Sequence, residues 1–182
     1  MKSKKGQIET LFFDEPTKEW HFEEILSEVK IARSKAASWL KQLQKENIIQ
    51  RVKTKGKMPY YTSQHASSEY RQKKKMYAQQ KLYESGLLTH LSALKKAKTV
   101  ILFGSYARSD WNKESDIDIF IYGEPEGLKI SPYEHKLKKT IQVFLCKEKK
   151  ELKKFGEGLL TNIIKGIPIL GYPEFVKVDT HA

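Results

Sequence analysis

Apolar positions in the first third of the chain recur at helical spacing and then give way to short extended runs. Phe22, Ile25, Leu26 and Val29 fall three or four residues apart, which predicts a helix over 21–30. Ala36, Leu40 and Leu43 mark the inner face of another helix over 32–45, with Ala32, Ala37 and Trp39 close to that face. Arg33, Ser34, Lys35, Ser38 and Lys41 are left toward solvent. A shorter helix over 7–13 comes before both and ends at Asp14-Glu15-Pro16. Two short strands, 48–52 and 60–62, then flank a basic, glycine-containing tip over 53–59.

The second half has a different rhythm. Residues 66–85 read as a polar helical connector whose apolar stripe (Tyr70, Met76, Tyr77, Leu82, Tyr83) is loose, and Gly86 breaks it. Leu87, Leu88, Leu91 and Leu94 predict an amphipathic helix running to Lys95-Lys96-Ala97-Lys98. Apolar runs at 99–103, 119–122 and 140–146 predict strands, with a loop over 123–127. Helices are expected over 131–139, opened by Ser131 as cap and Pro132 at the first helical position, and over most of 147–165. Residues 167–171 form a short apolar tail. Three strands among helices imply a small mixed sheet and an α+β fold class.

The chemistry concentrates between the first two of those strands. The run at 99–103 stops at Gly104-Ser105, and Asp116 and Asp118 open the next run, with Ile117 between them. Alternate strand residues share a face, so the two carboxylates project together while Ile117 and Ile119 project oppositely. Aligned carboxylates in an apolar strand are costly unless something positive sits between them, and a divalent cation fits that need. Gly-Ser at a strand-to-helix turn suits a phosphate. The combination reads as a place for Mg²⁺ and a nucleoside triphosphate.

Charge adds a second theme. Residues 1–98 hold 21 Lys/Arg against 10 Asp/Glu, whereas residues 99–182 hold 13 against 12. Residues 30–81 alone carry 14 basic and 2 acidic side chains, which points to a polyanionic partner for the N-terminal part. The Arg71–Lys75 run reads as a solvated helix face, with a backbone or dimer contact as the alternative. The single cysteine, Cys146, excludes an intramolecular disulfide and fits a reducing cytoplasm. His21, His65, His90, His135 and His181 lack metal-ligand spacing, no apolar run reaches the length of a membrane span, and the N-terminus lacks the apolar core of a signal peptide.

Three helices and a basic hairpin over roughly 6–62 resemble a winged helix-turn-helix domain. That resemblance implies a third helix in the DNA major groove through Arg33, Ser34, Lys35, Ser38 and Lys41, and wing contacts to phosphates through Lys53, Lys55 and Lys57. Gly104-Ser105-Tyr106-Ala107-Arg108-Ser109 followed by Ser115-Asp116-Ile117-Asp118-Ile119 is similar to the nucleotidyltransferase superfamily that includes DNA polymerase beta, and above all to its minimal members. The likeness extends over 86–172. It implies nucleotide binding by Gly104, Ser105 and Arg108, and Mg²⁺ or Mn²⁺ held by the catalytic pair Asp116 and Asp118. The chain is therefore expected to comprise a winged helix-turn-helix domain (1–65), a helical connector (66–85) and a small mixed-sheet, polymerase-beta-like nucleotidyltransferase domain (86–182).

Two departures from the superfamily pattern stand out. Its active members carry a third carboxylate on a neighbouring strand, where this chain has Gln142; Glu134 and Glu148 are the alternative acids. Ser109 stands where the pattern has glycine. The leading expectation is Mg²⁺-dependent transfer of a nucleoside monophosphate from NTP to an unidentified acceptor by a DNA-binding protein. The alternatives are a weak or inactive nucleotidyltransferase-fold regulator, an antitoxin-like partner protein, or an adaptor using the winged helix on another protein. Trp111 and Tyr106 lie close to the motif in sequence and are read as packing residues.

Overall fold

The computed structural model describes residues 3–173. The ends of the expected 1–65 and 86–182 domains, and His181, lie outside the described residues. The chain divides into two units, Met1–Met76 with Trp111–Lys113, and Tyr77–Asp110 with Glu114–Ala182.

In the first unit, α1 (Lys4–Asp14) is followed by β1 (Trp20–His21), α2 (Phe22–Val29), α3 (Arg33–Lys45), β2 (Ile49–Val52), β3 (Tyr60–Ser63) and the first half of α4 (Ser68–Ser85). The Ser3 hydroxyl caps α1 by accepting the Gly6 N–H at 3.1 Å. Lys30 adopts a left-handed conformation (φ 51°) that ends α2 and lets α3 begin three residues later. The strands form an antiparallel sheet in the order β1-β3-β2. Ile8, Phe12, Phe13, Ile25, Val29, Ala36, Leu40 and Leu43 are all buried. Ala32 and Ala37, expected near the inner face of α3, are exposed, because that face narrows to the 36–40–43 stripe. The end of α1 is held by donors rather than by a cap: Ser63 Oγ and Tyr70 Oη both donate to the Phe12 carbonyl, and Lys74 Nζ donates to the Phe13 carbonyl, each at 2.8 Å. These bonds satisfy carbonyls that a helix C-terminus leaves without partners, and the ammonium also complements the negative end of the helix.

The second unit holds the rest of α4, then α5 (Leu87–Ser92), β4 (Ala97–Phe103), α6 (Gly104–Arg108), β5 (Ile117–Gly123), α7 (Ser131–Leu137), β6 (Ile141–Cys146), a 3₁₀ segment at Lys149–Lys154, α8 (Glu157–Ile164) and β7 (Ile167–Leu170). The sheet order is β6-β5-β4-β7; β5 runs parallel to β6, and β4 is antiparallel to both β5 and β7. The sheet is therefore mixed and the architecture α+β. Phe120, at the centre, is fully buried with Ile101, Phe103, Cys146 and Ile163, and Phe144, Leu152, Phe155, Leu159 and Leu160 close around that cluster. Val100, Leu102, Ile119 and Ile121 are buried as well, which is why β4 and β5 read as continuous apolar runs. Among the described residues no helix is long and apolar enough to cross a membrane.

Several boundaries differ from expectation. The helix expected to reach Lys98 stops at Ser92, since Ala97 already pairs with Gly123 in the sheet. Ser131 is the first residue of α7 and not its cap, which is Ile130. The expected 147–165 helix is split at Phe155-Gly156 into a 3₁₀ segment and α8. The apolar tail at 167–171 is an edge strand on β4, where Pro168 is tolerated because an edge leaves one side of the strand without ladder partners.

Truncating Phe120 to Ala removes the ring around which this cluster is built. Phe120→Ala should cost about 3–5 kcal/mol of stability, read as a lowered denaturant midpoint in chemical unfolding of the full chain.

Candidate nucleotide and metal site

The register of β4 against β5 builds the site. Phe103, the last residue of β4, lies opposite Asp118. The chain then turns at Gly104 (φ 70°) into α6. A Cβ at position 104 would lie 2.0 Å from Asp118 Oδ2, so only glycine lets the carboxylate rest against the backbone. Ser105 follows directly in the first turn of α6.

On its other side β5 pairs in parallel with β6, setting Asp118 beside Gln142. Gln142 Nε2 donates to Asp116 Oδ2 at 2.6 Å. Gln142, which stands where the superfamily pattern has its third carboxylate, is therefore in contact with the carboxylate pair. Neither alternative acid takes that place. Glu134 Oε1 accepts the Ile141 N–H at 3.0 Å, and Glu148 follows β6 at the opposite end, where it pairs with Lys150 at 2.6 Å. Among the described residues no group of three or more His, Cys, Asp and Glu side chains is gathered as a metal cluster.

Electrostatics tie these groups together. Burial pushes the Asp118 carboxyl above its ordinary value of 3.8, the Asp116 charge pushes the same way, and the Arg108 guanidinium opposes both. Arg108 itself is exposed and forked onto Asp110, with Nε at 3.0 Å and Nη2 at 3.4 Å from the two carboxylate oxygens. Nothing in the sequence marks Asp110, and the one sign for Ser109, which is left-handed at φ 67°, is that it stands where the superfamily pattern has glycine. Gly104, Asp116, Asp118 and Gln142 are thus brought together, with Ser105 adjacent and Arg108 within electrostatic reach. Tyr106 and Trp111 are buried, as packing residues should be, and Trp111 belongs to the first unit.

The basic residues of the first unit divide in two. Ser34, Lys35, Ser38 and Lys41 are exposed on one side of α3, and Lys53, Lys55 and Lys57 are exposed on the β2–β3 connection. Arg33, also exposed, is forked onto Glu23 at 2.7 and 2.8 Å. The Arg71–Lys75 run is only partly a solvated face: Lys73 bridges Glu9 and Glu46, and Lys74 is 1% exposed.

The strained carboxylate has a stability consequence. Asp118 has a raised folded-state pKa, so the folded state binds more protons and stability falls as pH climbs from about 3.8 through the folded pKa. Asp118→Asn removes that penalty. The variant should melt at a higher temperature than the parent at pH 7, and the gain should vanish below pH 4, in thermal melts without divalent cations.

Residues 84–169 match the family described as nucleotidyltransferase domain, a stretch just short of half the chain. A relative from Methanocaldococcus jannaschii, which bears the provisional name of a protein adenylyltransferase, is 48% identical over 46 residues. That alignment takes in 22% of this chain and 46% of the relative, so the chain spans about half the length of the curated relative it matches. Residues 84–169 cover β4 through most of β7, with Gly104, Asp116 and Asp118 inside them.

Proposed function

We propose that the protein transfers a nucleoside monophosphate from NTP to an acceptor with the help of Mg²⁺ or Mn²⁺. The reading is carried by the Asp118 carboxylate against Gly104, with Asp116 close enough to raise its pKa. Asp116 and Asp118 would hold the cation, and they fit it, because a positive charge removes the like-charge repulsion and desolvation that hold the Asp118 pKa up. When bound, the metal neutralises the triphosphate and the charge that builds on the leaving group. Gly104 and Ser105 offer backbone and hydroxyl to the phosphates, and Arg108 can exchange Asp110 for a phosphate oxygen pair. An acceptor oxygen bonds to the α-phosphorus while the bond to the bridging oxygen breaks. Pyrophosphate leaves with the electron pair, and the acceptor proton passes to water, since the amide of Gln142 is no base. The name of the Methanocaldococcus jannaschii relative suggests ATP as donor and a protein side chain as acceptor.

Gln142 supports a second reading. Its Nε2 donates to the very carboxylate that a metal needs, as in a site that binds nucleotide but has lost turnover and serves a regulator or antitoxin-like partner protein. Labelled ATP with Mg²⁺ separates the two. Under the leading reading label is transferred, to the protein itself or an added acceptor, and Asp116→Asn lowers it by about 100-fold or more. Under the second, the parent binds ATP without transfer and Gln142→Asp gains activity.

The N-terminal unit fits a winged helix-turn-helix that binds DNA, with Arg33, Ser34, Lys35, Ser38 and Lys41 on the groove-facing helix and Lys53, Lys55 and Lys57 on the wing. The exposure of these side chains supports it. Duplex affinity should fall steeply with salt, and Lys53→Ala, Lys55→Ala and Lys57→Ala combined should flatten the log–log slope by up to about three, measured by fluorescence anisotropy. A salt-independent affinity would favour the protein adaptor instead.

A further inference from the structure

β6 is an outer strand of its sheet, bonded to β5 on one side. Ile117 pairs with Ile141 and its N–H donates to the Thr140 carbonyl at 2.9 Å, which sets the direction of each peptide group along β6. Gln142, Phe144 and Cys146 turn theirs toward β5, and Ile141, Val143, Leu145 and Lys147 turn theirs outward. Carboxylates close both ends of the outward row. Glu134 Oε1 accepts the Ile141 N–H at 3.0 Å, and Glu151 Oε2 accepts the Lys147 N–H at 2.7 Å. Between them Val143 and Leu145 form a window, and among the described residues no strand pairs with it on that side.

An open edge is a template for pairing with another chain, and proteins blunt such edges with proline, charge or short length. The opposite edge of this sheet follows that rule, since β7 has four residues and one of them is Pro168. β6 has six residues with neither proline nor charge among them. Its Val143, Phe144 and Leu145 are only partly buried, whereas their partners on β5, Ile119, Phe120 and Ile121, are fully covered. Outward N–H and C=O groups beside half-covered apolar side chains are complemented by the backbone of another extended polypeptide. Charge selects the occupant. Lys138 before β6 and Lys149 after it are exposed, so a second copy paired antiparallel would bring lysines against lysines, and a segment with acidic flanks would meet opposite charge.

We propose that the β6 edge docks the acceptor as an added strand: an extended polypeptide segment with acidic flanks pairs its main chain with Val143 and Leu145 and sets a hydroxyl-bearing residue beside Gln142. This rests on the proposed function above and specifies the form of the acceptor. Side chains alternate along a strand, so an added strand carries on the face that bears Asp118 and Gln142, about 5 Å beyond β6. The hydroxyl oxygen then bonds to the α-phosphorus while the bond to the bridging oxygen breaks. Pyrophosphate leaves with the electron pair, and the hydroxyl proton passes to water.

The test uses the full chain, labelled Mg-ATP and a panel of synthetic peptides of about ten residues, each with alternating valines, acidic ends and one central serine, threonine or tyrosine. Every peptide has an N-methylated copy that keeps the side chains but cannot donate main-chain hydrogen bonds. Hydrogen exchange at the Val143 and Leu145 amides should slow about 10-fold or more with an unmodified peptide and not with its methylated copy, and only the unmodified peptide should take label. Val143→Pro removes an outward donor where an edge tolerates proline. It should raise KM for the peptide about 10-fold and leave KM for ATP within about twofold. The methylated peptides carry the test if that variant does not fold. No slowing of exchange by any peptide at millimolar concentration overturns the proposal, as does equal label on a methylated copy, or a folded Val143→Pro variant with unchanged KM for the peptide. Exchange that slows with protein concentration alone makes the occupant a second copy and overturns it too. A parent that labels no peptide, yet shows protection by unmodified peptides alone, brings down the proposed transfer and supports the docking edge.

Discussion

The second unit depends on a place where a carboxylate replaces a side chain. Asp118 Oδ2 fills the space that any Cβ at position 104 would need, so the last residue of β4 and the second residue of β5 can sit opposite one another only because the following residue is glycine. The positive φ at Gly104 turns the chain away into α6 at that point. From this contact the rest follows by register. Phe120 falls two residues later on the same face and becomes the centre of the apolar cluster, while the parallel neighbour β6 presents Gln142 beside Asp118 and Phe144 beside Phe120. One face of one sheet thus carries a polar end and an apolar body, and the period of two along β5 divides them.

Electrostatic cost is concentrated at the polar end. Asp118 is partly desolvated and faces Asp116, and both effects favour its protonated form. Two groups offset this in part. Arg108 acts on Asp118 at a distance, its own fork being directed at the exposed Asp110, and the Gln142 amide donates to Asp116. Neither supplies a full positive charge at the pair. Keeping two carboxylates together under those conditions lowers the stability of the protein at neutral pH, a cost of the kind met where function and fold compete.

Much of this was readable from residue order. Helical spacing in 21–30 and 32–45 and the apolar runs of β4 to β6 rest on local periodicity, which survives into the fold because local preference and packing agree. What was missed depends on distant partners. Trp20–His21 is too short to show a period and exists through pairing with Tyr60 and Tyr61. Pro168 disguised β7, which needs β4 to be a strand at all. Lys95–Lys98 looks like a lysine-rich helix end, yet Ala97 is claimed by the sheet. Lys74 looked like one cation in a solvated run, and only the carbonyl at the end of α1 and the ring of Trp111 explain its burial. Site chemistry was legible where its residues are close in sequence; the hydrogen bond across 26 positions that modifies it came from the β5–β6 pairing.

Gln142 is where fold and chemistry make different demands. A carboxylate there would be a third negative charge beside a pair that already holds a raised pKa, and without a cation it would deepen the repulsion. An amide at that position relieves the empty site by donating a hydrogen bond, and the geometry shows it doing so at 2.6 Å. The same donation takes up an oxygen of Asp116 that a metal would use, and it supplies no base for an acceptor hydroxyl. An amide can turn its oxygen toward a cation by rotating about its last torsion, at the loss of the bond to Asp116. Under the proposed function, position 142 would stabilise the metal-free state relative to the loaded one, and the affinity for a divalent cation would have to exceed that preference before transfer.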